Sequence, residues 1–223
     1  HHNHSLPSEM SSEDKATLLK RLEEELISDI TLPLRQSNLV FGEGNSNCEV
    51  LFIGEAPGAN EDREKRPFVG RGGQLLRKNI RAIGWKEEDV YITNIVKRRP
   101  PENRDPLPEE IEAYKPYLTR QIGIIDSPII VPLGRFSMNY FLPLAKITRD
   151  QGKAFRTGGR IIVPFFHPAA ALRSTEILKQ FEAGFVLLPL LLKKINNLSI
   201  KTESVSPIEE KESPKPQPPK TLF

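Results

Sequence analysis

The amino-acid sequence predicts an α/β protein, a three-layer α/β/α arrangement around a central, mostly parallel four-stranded sheet. Short apolar runs alternate along the chain with longer segments of helical periodicity, the pattern of repeated strand-helix units. A length of 223 residues, 38% hydrophobic and 27% charged, suffices for one well-buried domain with ends to spare. No stretch approaches the roughly 20 apolar residues of a membrane span, and no basic-apolar-small leader opens the chain, so a cytoplasmic protein is expected; a monomer is expected as well.

Residues 1–12 are polar and unpatterned, hold three of the four histidines, and are expected to form a disordered N-terminal segment. The folded domain is expected over residues 13–195. It opens with a helix from Glu13 to Ile27, where Leu18, Leu19, Leu22, Leu26 and Ile27 recur at helical spacing behind Ser12 as a possible N-cap. Then follow strand Glu49 to Ile53, helix Gly73 to Ile83, strand Val90 to Val96, helix Pro108 to Ile124 and strand Pro128 to Leu133. Helix Gly134 to Leu144, strand Arg160 to Phe165 and helix Thr175 to Ile195 complete the series. From residue 196 onward the composition turns to Pro, Glu, Ser and Lys, which cannot bury enough apolar surface to fold alone, so 196–223 is expected to be a disordered tail.

Charge and cysteine content narrow the chemistry. A net charge of +3 is too small to argue for nucleic acid, but its distribution says more: twelve Lys or Arg stand against five Asp or Glu between Arg63 and Arg104. Such clustering suits phosphate contacts, or simply a solvated basic face. Cys48 is the only cysteine, so no disulfide and no thiolate-ligated metal centre can form within one chain.

In an open parallel sheet, ligands bind beyond the carboxyl ends of the strands. Beyond the first predicted strand stands Gly54-Glu55-Ala56-Pro57-Gly58, whose glycines suit a tight turn with positive backbone angles and close approach to a ligand. The second strand carries Thr93-Asn94-Ile95-Val96 into Lys97-Arg98-Arg99-Pro100-Pro101, and the last leads to His167-Pro168-Ala169-Ala170-Ala171-Leu172-Arg173. An acid, an amide and an imidazole thus converge on one edge. The Gly54 turn has no phosphate-binding lysine loop, which weakens a nucleotide-binding reading.

These segments, with Val40-Phe41-Gly42-Glu43-Gly44, Glu61-Asp62 and Arg66-Pro67-Phe68-Val69-Gly70, resemble family 4 uracil-DNA glycosylases over about Ile27 to Ile195. The resemblance implies base-excision repair: uracil is flipped out of DNA and its N-glycosidic bond is hydrolysed, leaving an abasic site. Phe68 would stack on the base, or be a core phenylalanine. Asn94 would read uracil O4 and N3, or merely cap its loop. His167 would donate toward O2 as negative charge develops there. Glu55 and Glu61 are the candidates for positioning water and stabilising the cationic sugar, with the choice between them open. Ala56 would offer its backbone amide to the base. Lys97, Arg99, Leu172 and Arg173 form the DNA-facing set, with Leu172 either a wedge into the duplex or a packing residue.

The resemblance also marks a departure. Family 4 members hold a [4Fe-4S] cluster on four cysteines, and the corresponding positions here are Ile27, Ile30, Arg98 and Tyr114. None is a thiolate, so no cofactor is expected, and packing among these four residues is expected to replace the metal. A related branch traps the sugar covalently through a histidine in an inserted loop. Lys97-Arg98-Arg99 instead runs straight into Pro100-Pro101, which implies turnover. The alternative to an enzyme is a non-catalytic DNA-binding module on the same fold. The chain ends in Leu222-Phe223, similar to the short peptides that bacterial sliding clamps bind, so a clamp is a candidate partner beside uracil-containing DNA.

Overall fold

A computed structural model describes residues 11–203 and Thr221. The first helix, α1 (Ser12–Ser28), is capped by Ser11, whose side chain accepts from the Asp14 amide, so order begins before residue 13 and the cap lies one residue earlier than the sequence predicts. Four strands form the centre: β2 (Val50–Gly54), β3 (Tyr91–Asn94) and β4 (Ile129–Pro132), all fully buried, and β6 (Arg160–Ile162), buried except at the half-buried Arg160. They run parallel in the order β3-β2-β4-β6.

The sheet is six-stranded, which corrects the expected four. β1 (Glu43–Gly44) and β5 (Phe155–Thr157) add antiparallel edges beside β3 and β6. Two or three residues are too few to display an alternating pattern, and an edge strand needs no continuous apolar run.

Alternation along β2 explains the layers. Leu51 and Ile53 face one core with Leu22 and Leu26 of α1 and with Tyr114 and Leu118 of α4 (Pro108–Ile125). Val50 and Phe52 face the other core, with Leu76 and Ile80 of α3 (Arg71–Ala82) and with Phe181 and Phe185 of α8 (Thr175–Glu203). Phe165, Phe181 and Phe185 meet edge-on with centroids 5.0 to 6.0 Å apart. α8 continues to Glu203, so the predicted tail boundary at 196 falls inside a helix. Short helices α2 (Ala59–Glu64), α5 (Arg135–Phe141), α6 (Ile147–Asp150) and α7 (Pro168–Ala171) fill the connections.

Among the described residues no helix is long and apolar enough to cross a membrane. Thr221 bridges the β5 edge at Phe155. Leu222 and Phe223, the proposed clamp ligands, lie outside the described residues.

Candidate active site

Backbone pairing continues past the strand ends and gathers the loops. Ile95 and Val96 donate to the carbonyls of Gly54 and Glu55 at 2.9 and 3.0 Å, Leu133 donates to Ile53 at 2.8 Å, and Gly134 donates to Phe165 at 2.9 Å. Glu55, Asn94 and His167 therefore meet around one cavity of about 390 Å³, together with Ala56, Glu61 and Phe68. All six residues expected to handle the base and sugar share it.

Gly54 makes this meeting possible, though not through a positive backbone angle as the sequence reading expects. A Cβ on it would stand 2.4 Å from the tip of the Phe68 ring and 2.5 Å from Asn94 Oδ1. A bare Cα lets ring and carboxamide converge. Asn94 is only 2% exposed, and its Oδ1 has no hydrogen-bond partner. An orphaned buried acceptor costs about 1–3 kcal/mol, and a donor placed in the cavity would relieve it.

His167 caps α7: its Nδ1 accepts from the Ala169 amide at 3.1 Å. That bond requires an unprotonated Nδ1, so the neutral ring carries its hydrogen on Nε2. Burial pushes its pKa down to about 4, with Glu61 opposing and Arg173 reinforcing. Near neutral pH it is an uncharged donor. Its ring lies 5.9 Å from that of Phe68, tilted by 34°.

The two carboxylates differ. Burial pushes Glu55 up to about 7, the Phe136 amide opposing this and the Asp105 charge adding to it. Its carboxylate accepts from that amide at a long 3.4 Å. Glu61 instead accepts from three backbone amides, Gly58 at 3.1 Å, Val69 at 2.9 Å and Gly70 at 2.6 Å. Its oxygens thus hold the loops around Gly58 and Phe68, while the Glu55 carboxylate has fewer hydrogen-bond partners.

The DNA-facing set divides. Leu172 is 42% exposed at the end of α7, Arg173 beside it is exposed, and Arg99 is partly exposed with Nε donating to Asn103. Lys97 does not belong with them. It is 0% exposed, and its Nζ donates to Thr93 Oγ1, the Asn94 carbonyl and Gln121 Oε1 at 2.6, 2.7 and 2.5 Å. Burial holds it well below the usual lysine range. It braces the strand end from beneath and cannot reach a phosphate.

The family model of the uracil DNA glycosylase superfamily matches residues 41–186. The type-4 uracil-DNA glycosylase of Sulfurisphaera tokodaii is 44% identical over 82% of this chain and 85% of its own. That of Saccharolobus solfataricus is 49% identical over 67% and 74%, and that of Thermotoga maritima 45% over 64% and 76%. The chain belongs to the type-4 uracil-DNA glycosylase family.

Type-4 enzymes are expected to hold an iron–sulfur cluster, and the residues present do not fit one. Ile27 and Ile30 are 52% and 80% exposed. Arg98 Nη1 donates to the buried Tyr114 hydroxyl at 2.9 Å, and that hydroxyl donates to the Pro33 carbonyl at 2.7 Å. Two aliphatics, a guanidinium and a phenol offer no soft anionic sulfur. Cys48 lies buried where β2 begins, its thiol pushed up to about 11 by burial. The expected mutual packing is half right: Arg98 and Tyr114 join, but the two isoleucines are exposed, and polar bonds hold the chain between α1 and Pro33. Arg35 donates to the Asp29 carbonyl at 2.6 Å and Tyr117 to its carboxylate at 2.5 Å.

Sequence reasoning missed Arg77, whose guanidinium donates to the carbonyls of Pro67 and Phe68 at 2.6 and 2.8 Å. Its helical spacing from Gly73 is the one signal that places it over the Phe68 loop.

Proposed function

We propose that this protein excises uracil from DNA by hydrolysing the bond between uracil N1 and deoxyribose C1′, with Asn94, Phe68, His167 and Glu55 as the residues that touch the reacting nucleotide. The unpartnered Oδ1 of Asn94 carries this reading. Uracil presents an N3–H donor beside its O4 acceptor, and one carboxamide satisfies both. Cytosine presents an acceptor and a donor in the reverse sense and leaves two groups unmatched.

Phe68 supplies a ring face for the base, and the Ala56 amide a further donor. As the glycosidic bond breaks, its electron pair moves onto uracil and charge builds on O2. The Nε2 hydrogen of neutral His167 stabilises that charge without first giving up a proton. Glu55 as carboxylate stabilises the cationic sugar and orients water, whose oxygen bonds to C1′ while Glu55 accepts its proton. Leu172 and Arg173 engage the duplex, with Arg99 on phosphate. The reading includes action as a monomer without an iron–sulfur cluster, since every group named comes from one chain, and clamp attachment through Leu222 and Phe223.

Release of free base from a uracil-containing oligonucleotide tests the assignment. Asn94→Ala and His167→Ala are each expected to lose about 10²–10³ in rate, the usual size for one transition-state donor. Equal release by wild type and both variants would overturn it. Clamp capture that persists after deletion of Leu222 and Phe223 would remove the tail from the proposal.

A further inference from the structure

Phe68 has a φ of 52°, a left-handed conformation that a bulky aromatic adopts only when its surroundings impose it. The first turn of α3 lies directly against its peptide. A Cβ on Gly73 would fall 2.0 Å from the Phe68 carbonyl carbon and 2.1 Å from its oxygen, so only glycine permits this contact. One turn further along α3, Arg77 reaches back with its side chain mostly buried. Its Nε donates to the Phe68 carbonyl at 2.8 Å and its Nη2 to the Pro67 carbonyl at 2.6 Å. The same guanidinium is itself fixed by Glu43 at 2.7 Å and Glu87 at 3.3 Å. Beyond Phe68, the Glu61 carboxylate takes the amides of Val69 and Gly70 at 2.9 and 2.6 Å. The peptides on both sides of the strained residue are therefore gripped by oppositely charged side chains from two helices.

We propose that Arg77 is a positioning residue for base excision, acting with Glu61 to lock Phe68 in the left-handed conformation that presents its ring to the base beside Asn94 and His167. The proposal rests on the uracil-stacking role of Phe68 given above. Its physical logic is pre-organisation: a planar fork with two donors fixes the orientation of consecutive carbonyls, which a single ammonium cannot do. A loop free to relax from φ of 52° would swing the ring off the base plane.

The test uses Arg77→Lys, Arg77→Met, Phe68→Ala and the double variant Arg77→Met/Phe68→Ala in the full chain. It reads single-turnover uracil release, inhibition by free uracil, and the thermal midpoint. Arg77→Lys keeps a positive charge between Glu43 and Glu87 and removes the fork. It is expected to unfold near the wild-type temperature yet lose about tenfold in release, with weaker inhibition by uracil. Arg77→Met is expected to lose at least as much in the Phe68 background, but less than about twofold once Phe68 is alanine, because coupled residues are not additive. Wild-type release by Arg77→Lys would overturn the proposal, as would Arg77→Met losses that are equal in both backgrounds. Should Arg77→Met fail to fold, the lysine variant decides alone. A wild-type protein that releases no uracil would instead refute the proposed function itself.

Discussion

Glu55 and His167 have their usual ionisation exchanged in order: the carboxyl is pushed up to about 7 and the imidazole down to about 4. Burial is the principal cause of both, since it disfavours the charged form of either group. For chemistry that needs a Glu55 carboxylate and a neutral His167, release should rise with pH through about 7 and show no limb from His167 above about 5. Glu55→Gln should flatten the rise and lower the plateau, measured as single-turnover release from pH 5 to 9. A rise that persists in Glu55→Gln would assign it to another group. Stability moves the other way. The folded state binds the Glu55 proton more tightly than the unfolded chain does, so stability is lost as pH climbs from about 4.5 through about 7. Glu55→Gln should therefore exceed wild type by up to about 3 kcal/mol at pH 8 in denaturant unfolding, and match it near pH 4. The residues of this site were legible in the sequence as types: an acid, an amide and an imidazole following apolar strands. Their difference in surroundings was not, because Glu61 accepts from the amides of Val69 and Gly70, which its neighbours in sequence do not reveal. Lys97 misled for a similar reason, since a basic run reads as solvated until Thr93 and Gln121 fold over it.

At the level of elements, β2, β3, β4 and β6 were readable because each is a run of apolar residues buried on both faces. β1 and β5 were not, being edge pieces whose existence depends on β3 and β6 beside them. The same dependence governs the connection from β3 to α4, where relatives would place a cluster ligand. Here the Tyr114 hydroxyl ties Arg98 on that connection to the Pro33 carbonyl after α1. Tyr114→Phe removes the oxygen but not the ring. It leaves a buried guanidinium short of an acceptor and a carbonyl short of a donor, a loss of about 1–3 kcal/mol. A lowered midpoint in urea with unchanged slope is the expected result, and an unchanged midpoint would mean that the strap contributes nothing. Base release by the folded variant should stay near wild type, because Glu55, Asn94 and His167 are fixed by strand-end pairing.

Across the whole molecule, two cores sandwich one sheet, and the cavity opens where four parallel strands end. In a protein stapled by metal, binding free energy is folding free energy, and chelation or oxidation loosens the fold. The N-terminal segment of this chain is joined to the rest of the domain by protein groups: Leu22 and Leu26 in the core, Lys15 donating to the Ile125 carbonyl at 2.9 Å, the salt bridge of Arg120 with Glu25, and Tyr117 on Asp29. The bonds tie α1 and its C-terminal cap to α4, and Leu22 and Leu26 pack in the same core as Leu51 and Ile53 of β2, so the segment should unfold together with the domain and not ahead of it. Purified protein is expected to lack the broad visible absorbance of an iron–sulfur centre. Its thermal midpoint should move by less than about 1 °C with chelator or mild oxidant, since Ile27, Ile30, Arg98 and Tyr114 offer no thiolate for a stabilising metal to leave. Added salt should leave that midpoint nearly unchanged as well, because of these ties only Arg120 with Glu25 is an exposed ion pair. Stoichiometric iron with acid-labile sulfide, or a chelator-dependent first transition in calorimetry, would show that ligands other than cysteines of a single chain hold a cluster after all. The polar strap through Tyr114 would then be an addition to the metal and not its replacement.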